Sequence, residues 1–159
     1  MVTTQDISKL RELTGAGMMD CKKALDEAGG DMEKASEILR KKGIIKAAKR
    51  GDKIAAEGLT AVKVSGNVAG IVEVNSETDF VAQSDDFKNL VNLIADVVVA
   101  EKAKTADEAL SKPALADKFN EAVVKIGEKI NLRRVSLVEK AGNEVFGTYI
   151  HMGGKISVL

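Results

Sequence analysis

The apolar positions of this chain keep a helical period over the first forty residues and then change to a mixture of strand and helix periods. Ile7, Leu10 and Leu13 form one short stripe, Ala24, Leu25 and Ala28 a second, and Ala35, Ile38 and Leu39 a third. Thr4 is the expected cap of the first helix and Gly15 its end. Asp20 is the expected cap of the second, which Gly29 and Gly30 stop. Asp31 opens the third helix, and Arg40, Lys41 and Lys42 fill its last turn before Gly43, where the helix dipole favours cations. Helices this short do not hold alone, so a shared core is expected over residues 1–43. Residues 44–56 then carry Lys46, Lys49, Arg50 and Lys53 along an alanine-containing segment, a basic and partly helical linker. Four charges without interleaved aromatic residues describe a solvated face, and no nucleic-acid role is assigned to them.

From residue 57 the pattern is that of an α+β core. Residues 58–65 and 68–75 alternate as strands and join as a hairpin across Gly66 and Asn67. Phe87, Leu90, Val91, Ile94, Val97 and Val98 return to the helical period over 84–101. A short helical connection is expected at 105–110, and Leu115, Phe119, Ala122, Val123 and Ile126 mark another helix. Strands are expected at 132–139, 144–151 and 155–159, separated by Ala141-Gly142-Asn143 and Gly153-Gly154, as a meander. Strands following runs of helix argue against a doubly wound parallel sheet and for an antiparallel sheet with packed helices. Apolar residues at 156–159 run to the last position, so the expectation is an incomplete C-terminus: a fragment, or a sheet that partners such as a second copy complete.

Composition narrows the function classes. A chain of 159 residues with 45% apolar content can bury a core. Its 24 basic and 24 acidic side chains cancel, leaving no overall field to draw it onto nucleic acid or anionic lipid. A single cysteine forms no internal disulfide, no signal peptide precedes Asp6, and the longest apolar run, near Val97, is too short for a bilayer. The expectation is a soluble, cytoplasmic protein.

One joint between strand and helix concentrates the chemistry: Glu73-Val74-Asn75-Ser76-Glu77-Thr78-Asp79-Phe80-Val81-Ala82. Two readings stand side by side. In the local one, Thr78 or Asp79 caps the following helix and Phe80 plugs the core. In the other, an acid-aromatic pair is exposed at a turn. These residues closely resemble a signature of the bacterial elongation factor Ts family, the nucleotide exchange factors of elongation factor Tu. The stretch Leu10-Arg11-Glu12-Leu13-Thr14-Gly15-Ala16-Gly17-Met18-Met19-Asp20-Cys21-Lys22-Lys23-Ala24-Leu25 matches the family's other signature. The resemblance implies that residues 1–43 are a ubiquitin-associated-like bundle docking on the partner's nucleotide-binding domain through Arg11, Met18 and Met19. It further implies that Phe80 enters between helices of the partner while Asp79 helps displace the magnesium environment, with Thr78 and Val81 in the same motif. Ile126, Gly127 and His151 match further contacts.

Other candidates reduce to bland readings. Met18 and Met19 lie between two glycines, Gly15 and Gly17, on one side and the expected Asp20 cap on the other, which favours exposure of at least one on a loop, where thioethers suit a protein contact. Cys21 adjoins Lys22 and Lys23, which would lower a thiol pKa, yet has no histidine nearby in sequence to form a nucleophilic pair, so a structural or surface role is the better reading. His151, the sole histidine, shares a strand face with Tyr149 and has no second ligand for a metal. There is no phosphate loop, paired-cysteine zinc pattern or activated nucleophile, so no catalytic residue, metal or cofactor is assigned. The leading expectation is a non-enzymatic exchange factor that binds elongation factor Tu in its GDP-bound and nucleotide-free states. Against it stand a ubiquitin-associated-type adaptor without exchange activity and, more weakly, an RNA-binding core.

Overall fold

The computed structural model describes residues 2–14, 16–49 and 54–159, without the side chains of 44–49. Gly15, expected to end the first helix, and Arg50 and Lys53 of the expected linker lie outside the described residues. The architecture is α+β: three N-terminal helices, then an antiparallel sheet with packed helices.

Helices α1 (Thr4–Thr14), α2 (Met18–Glu27) and α3 (Met32–Lys49) enclose Leu10, Ala16, Cys21, Ala24, Leu25, Ala35 and Leu39. Their starts differ from expectation. Thr3, not Thr4, caps α1: its hydroxyl accepts from Asp6 N, while the Asp6 carboxylate accepts from Thr3 N and from the hydroxyl, a reciprocal box. Those hydrogen bonds from Thr3 hold the Asp6 carboxyl below its usual range. Helix α2 starts two residues before Asp20, at Met18, after Gly17, whose extended backbone turns into the helix without a side-chain cap, so Asp20 lies in the first turn. Asp31 does cap α3, accepting from Lys34 N at 3.0 Å. The methionines expected on a loop open α2, with Met18 39% and Met19 64% exposed.

Two further expectations fail for packing reasons. Leu13 is 70% exposed because Ala16 takes the buried place beside Cys21, while Leu13 lines an open cleft with Leu39, Ala122 and Val124. Gly43 does not end α3, which runs on to Lys49. This glycine is buried, and a Cβ there would collide with the Val124 side chain, so its role is close approach rather than termination. The contact joins bundle and core, with Arg40 and Asp117 paired at 3.2 Å beside it.

The core sheet has the order β1 (Glu57–Ser65), β2 (Val68–Ser76), β3 (Asn131–Glu139), antiparallel throughout. One face is covered by α5 (Asp85–Ala100), whose Phe87, Leu90, Val91, Ile94 and Val98 are buried against Leu59, Val72 and Val74. The short helices α4 (Asp79–Gln83) and α6 (Ala106–Ser111) lead into and out of α5, and α7 (Pro113–Ile126) packs beside it. A register shift between Glu73 and Val74 leaves Arg133 as an extra residue in β3, and both Arg133 and Arg134 reach the Glu73 carboxylate, at 3.3 and 2.5 Å.

The expected three-strand meander forms only in part. Within residues 144–151, strand pairing is confined to β4 (Tyr149–His151), which pairs with β5 (Ile156–Val158) in a separate two-stranded sheet. Residues 140–148 stay irregular because their turn is closed locally, Glu144 accepting from Ala141 N at 2.7 Å, and Val145 finds no core and is 90% exposed. The small sheet leans on β1 through Thr60, which contacts Gly154 O at 2.8 Å and Ser157 Oγ at 2.7 Å. Among the described residues no helix is long and apolar enough to cross a membrane.

Candidate functional site

Strand β2 delivers the chain to a tightly bonded joint. Ser76 is fully buried, and its hydroxyl donates to Thr78 O at 3.0 Å. Glu77 N and Thr78 N both donate to one Glu128 carboxylate oxygen, at 3.1 and 3.0 Å, and the Thr78 hydroxyl donates to the other at 2.7 Å. The clasp is mutual, because Lys129 N donates to the Glu77 carboxylate at 2.7 Å. Gly127, in the left-handed region at φ 76°, ends α7 and swings Glu128 back toward β2. Three donors on one carboxylate make charge-assisted bonds that fix the loop against the end of α7.

On this base α4 forms a single turn. Thr78 is its N-cap, accepting from Val81 N at 3.3 Å, so the capping alternative belongs to Thr78 and not to Asp79. Ser84 closes the turn by donating to Val81 O at 2.7 Å and caps α5 by accepting from Phe87 N. Inside the turn the side chains divide. Ala82 is fully buried and Val81 packs on the core, whereas Asp79 is exposed and Phe80 is 84% exposed. Phe80 therefore does not plug the core; Phe87, seven residues later, does.

The remaining candidates fall in three places. Ile126 packs partly on the core and Gly127 is exposed, and both adjoin the joint because Glu128 follows them. His151 lies exposed on β4, where its Nδ1 is 2.9 Å from the Tyr149 hydroxyl and the two rings stack with centroids 5.8 Å apart, the shared strand face expected from the sequence. Arg11, Met18 and Met19 are exposed on α1 and α2 of the bundle. Cys21 is buried, its thiol 3.6 Å from Ala16 O, and burial pushes its pKa up, so the lowering expected from Lys22 and Lys23 does not prevail. Sequence reasoning missed Glu128 altogether and gave Glu77, though it lies within the motif, no role. Gly127 after a helical pattern does signal a turn, but nothing local says that the next carboxylate answers a loop 50 residues away.

Among the described residues no group of three or more histidine, cysteine or acidic side chains is arranged to hold a metal. The arrangement displays an acid and an aromatic ring on a rigid turn, which suits contact with another macromolecule. A family model described as Elongation factor TS matches residues 77–159, more than half of the chain, beginning at the Glu77 that clasps the joint and taking in Phe80, α7 and the β4–β5 hairpin. The chain belongs to the elongation factor Ts family.

Proposed function

We propose that this protein is a guanine nucleotide exchange factor that binds elongation factor Tu and promotes GDP release during translation elongation by disturbing the partner's magnesium and phosphate site. Family membership supports nucleotide exchange on elongation factor Tu in general. The observation that supports the finer mechanism is Phe80, 84% exposed on a turn whose backbone is bonded at both ends. A large apolar ring held out in water on a fixed base gains by entering a partner's interior, and the held backbone limits the ordering cost of docking. Asp79 beside it carries a carboxylate to the same place. A shift of about 1 Å in groups that hold a phosphate or its magnesium weakens charge compensation that depends on near-ideal geometry.

No covalent step, metal or cofactor in this chain enters the proposal. Thermodynamics requires the factor to bind nucleotide-free elongation factor Tu more tightly than the GDP-bound form, and GDP then weakens its binding by the same factor. A thousandfold coupling corresponds to about 4 kcal/mol. In this reading residues 1–43 dock through Arg11, Met18 and Met19, residues 44–56 connect, and the core at 57–159 acts through Thr78, Asp79, Phe80 and Val81 with Ile126, Gly127 and His151 gripping beside them. The compartment it requires is the cytoplasm, without direct nucleic-acid or membrane contact. The test is release of labelled GDP from purified elongation factor Tu. The unmutated protein accelerates release, and Phe80→Ala slows it far more than it weakens complex formation. Binding without acceleration would instead favour the adaptor reading.

A further inference from the structure

We infer that Glu128 is a positioning residue for nucleotide exchange, acting through Thr78 and the turn that carries Phe80 rather than by touching the partner. The inference rests on the exchange reading and adds to it a residue outside the motif. Its carboxylate takes both backbone N–H groups that lead into α4 and the Thr78 hydroxyl proton. A hydroxyl has one proton to give. Committing it to Glu128 leaves the Thr78 oxygen to accept from Val81 N, and the residues bracketed by that bond are Asp79 and Phe80. Phe80 is too exposed to be held by neighbours of its own side chain, so the direction of its ring follows from the backbone beneath it. That backbone is tied to α7 by Glu128 and, in return, by Glu77 to Lys129 N. A helix of five residues has little stability of its own, and removing the carboxylate frees three donors at its start.

The experiment measures GDP release from elongation factor Tu over a range of concentrations of the unmutated protein, Glu128→Ala, Phe80→Ala and the double variant. Glu128→Ala is expected to lower the maximal release rate about tenfold or more while leaving the half-saturating concentration nearly unchanged, because Arg11, Met18, Met19 and His151 are intact. The double variant should fall short of the product of the two single losses, since Glu128 acts through the turn that carries both Asp79 and Phe80. An unchanged maximal rate, a loss confined to half-saturation, or losses that multiply in the double variant would each overturn the inference while leaving the exchange reading in place. Should Glu128→Ala fail to fold, Glu128→Gln decides: its amide oxygen still accepts from Glu77 N and Thr78 N, but its NH2 group can only donate to the Thr78 oxygen and the bonds lose their charge, so the maximal rate is expected to fall, and an unchanged rate again overturns the inference. If the unmutated protein gives no acceleration, the exchange reading fails and this inference with it.

Discussion

The Thr78 hydroxyl and the Glu128 carboxylate, 50 residues apart in the chain, lie 2.7 Å apart in the fold. Through that bond a strand end, a one-turn helix and the end of α7 become one rigid corner, from which Phe80 projects. Both partners are half-buried, so the bond is partly shielded from the competition with water that weakens surface pairs.

Two phenylalanines seven positions apart should respond in opposite ways. Phe87→Ala removes a fully buried ring from between α5 and the sheet and is expected to cost about 3–5 kcal/mol in urea denaturation. Phe80→Ala takes away a ring already in water and should stay within about 0.5 kcal/mol. Equal losses would mean that Phe80 packs on the core in solution.

Glycine positions sort by what a side chain would meet. Gly127 has φ 76° and open space around a Cβ, so Gly127→Ala should cost about 1–2 kcal/mol of conformational strain alone. At Gly58, with φ 147°, the added Cβ would strike the backbone of Val74 and Asn75, and Gly58→Ala should cost about 3 kcal/mol or more by forcing β1 from β2. Chemical denaturation of the two variants side by side gives the order.

A chain starting at Ile54 lacks the bundle but keeps the whole β1–β5 core, and its circular dichroism should retain a cooperative melt. It also loses the Arg40–Asp117 pair and the Gly43 contact that covers Val124. Affinity for elongation factor Tu should fall, as expected when one docking surface is removed. Undiminished affinity would take Arg11, Met18 and Met19 out of the interface.

Burial raises the Cys21 pKa above its ordinary value of 9.0, which makes the neutral thiol the favoured form in the folded state. Alkylation at pH 8 should therefore be slow in the native protein and rapid in urea. The sign for stability follows: the contribution is complete below pH 9 and is lost as pH rises through the higher folded value. Cys21→Ala should remove that alkaline decline from a pH series of thermal melts, and a native thiol that reacts at the unfolded rate would show Cys21 to be accessible.

Periodicity alone was enough for the elements with strong local signals. The β1–β2 hairpin across Gly66 and Asn67, α5 after the Ser84 cap and the apolar stripe of α7 are all where alternation, 3.6-residue spacing and turn residues indicate, because each is specified by neighbours within a few positions. The resemblance at residues 73–82 and 10–25 likewise lies in the order of residues alone. Tertiary contacts decided the rest. Gly43 reads as a stop signal until Val124 of another helix is seen beside it, and Val145, within the expected strand 144–151, has no sheet face left to bury it. Phe80 and Phe87 are the same residue type on either side of one serine cap, and only packing sends one to water and the other to the core. Glu128 is the clearest case: a carboxylate's three donors come from residues 77 and 78, and hydrogen bonds between distant segments leave no period in the sequence.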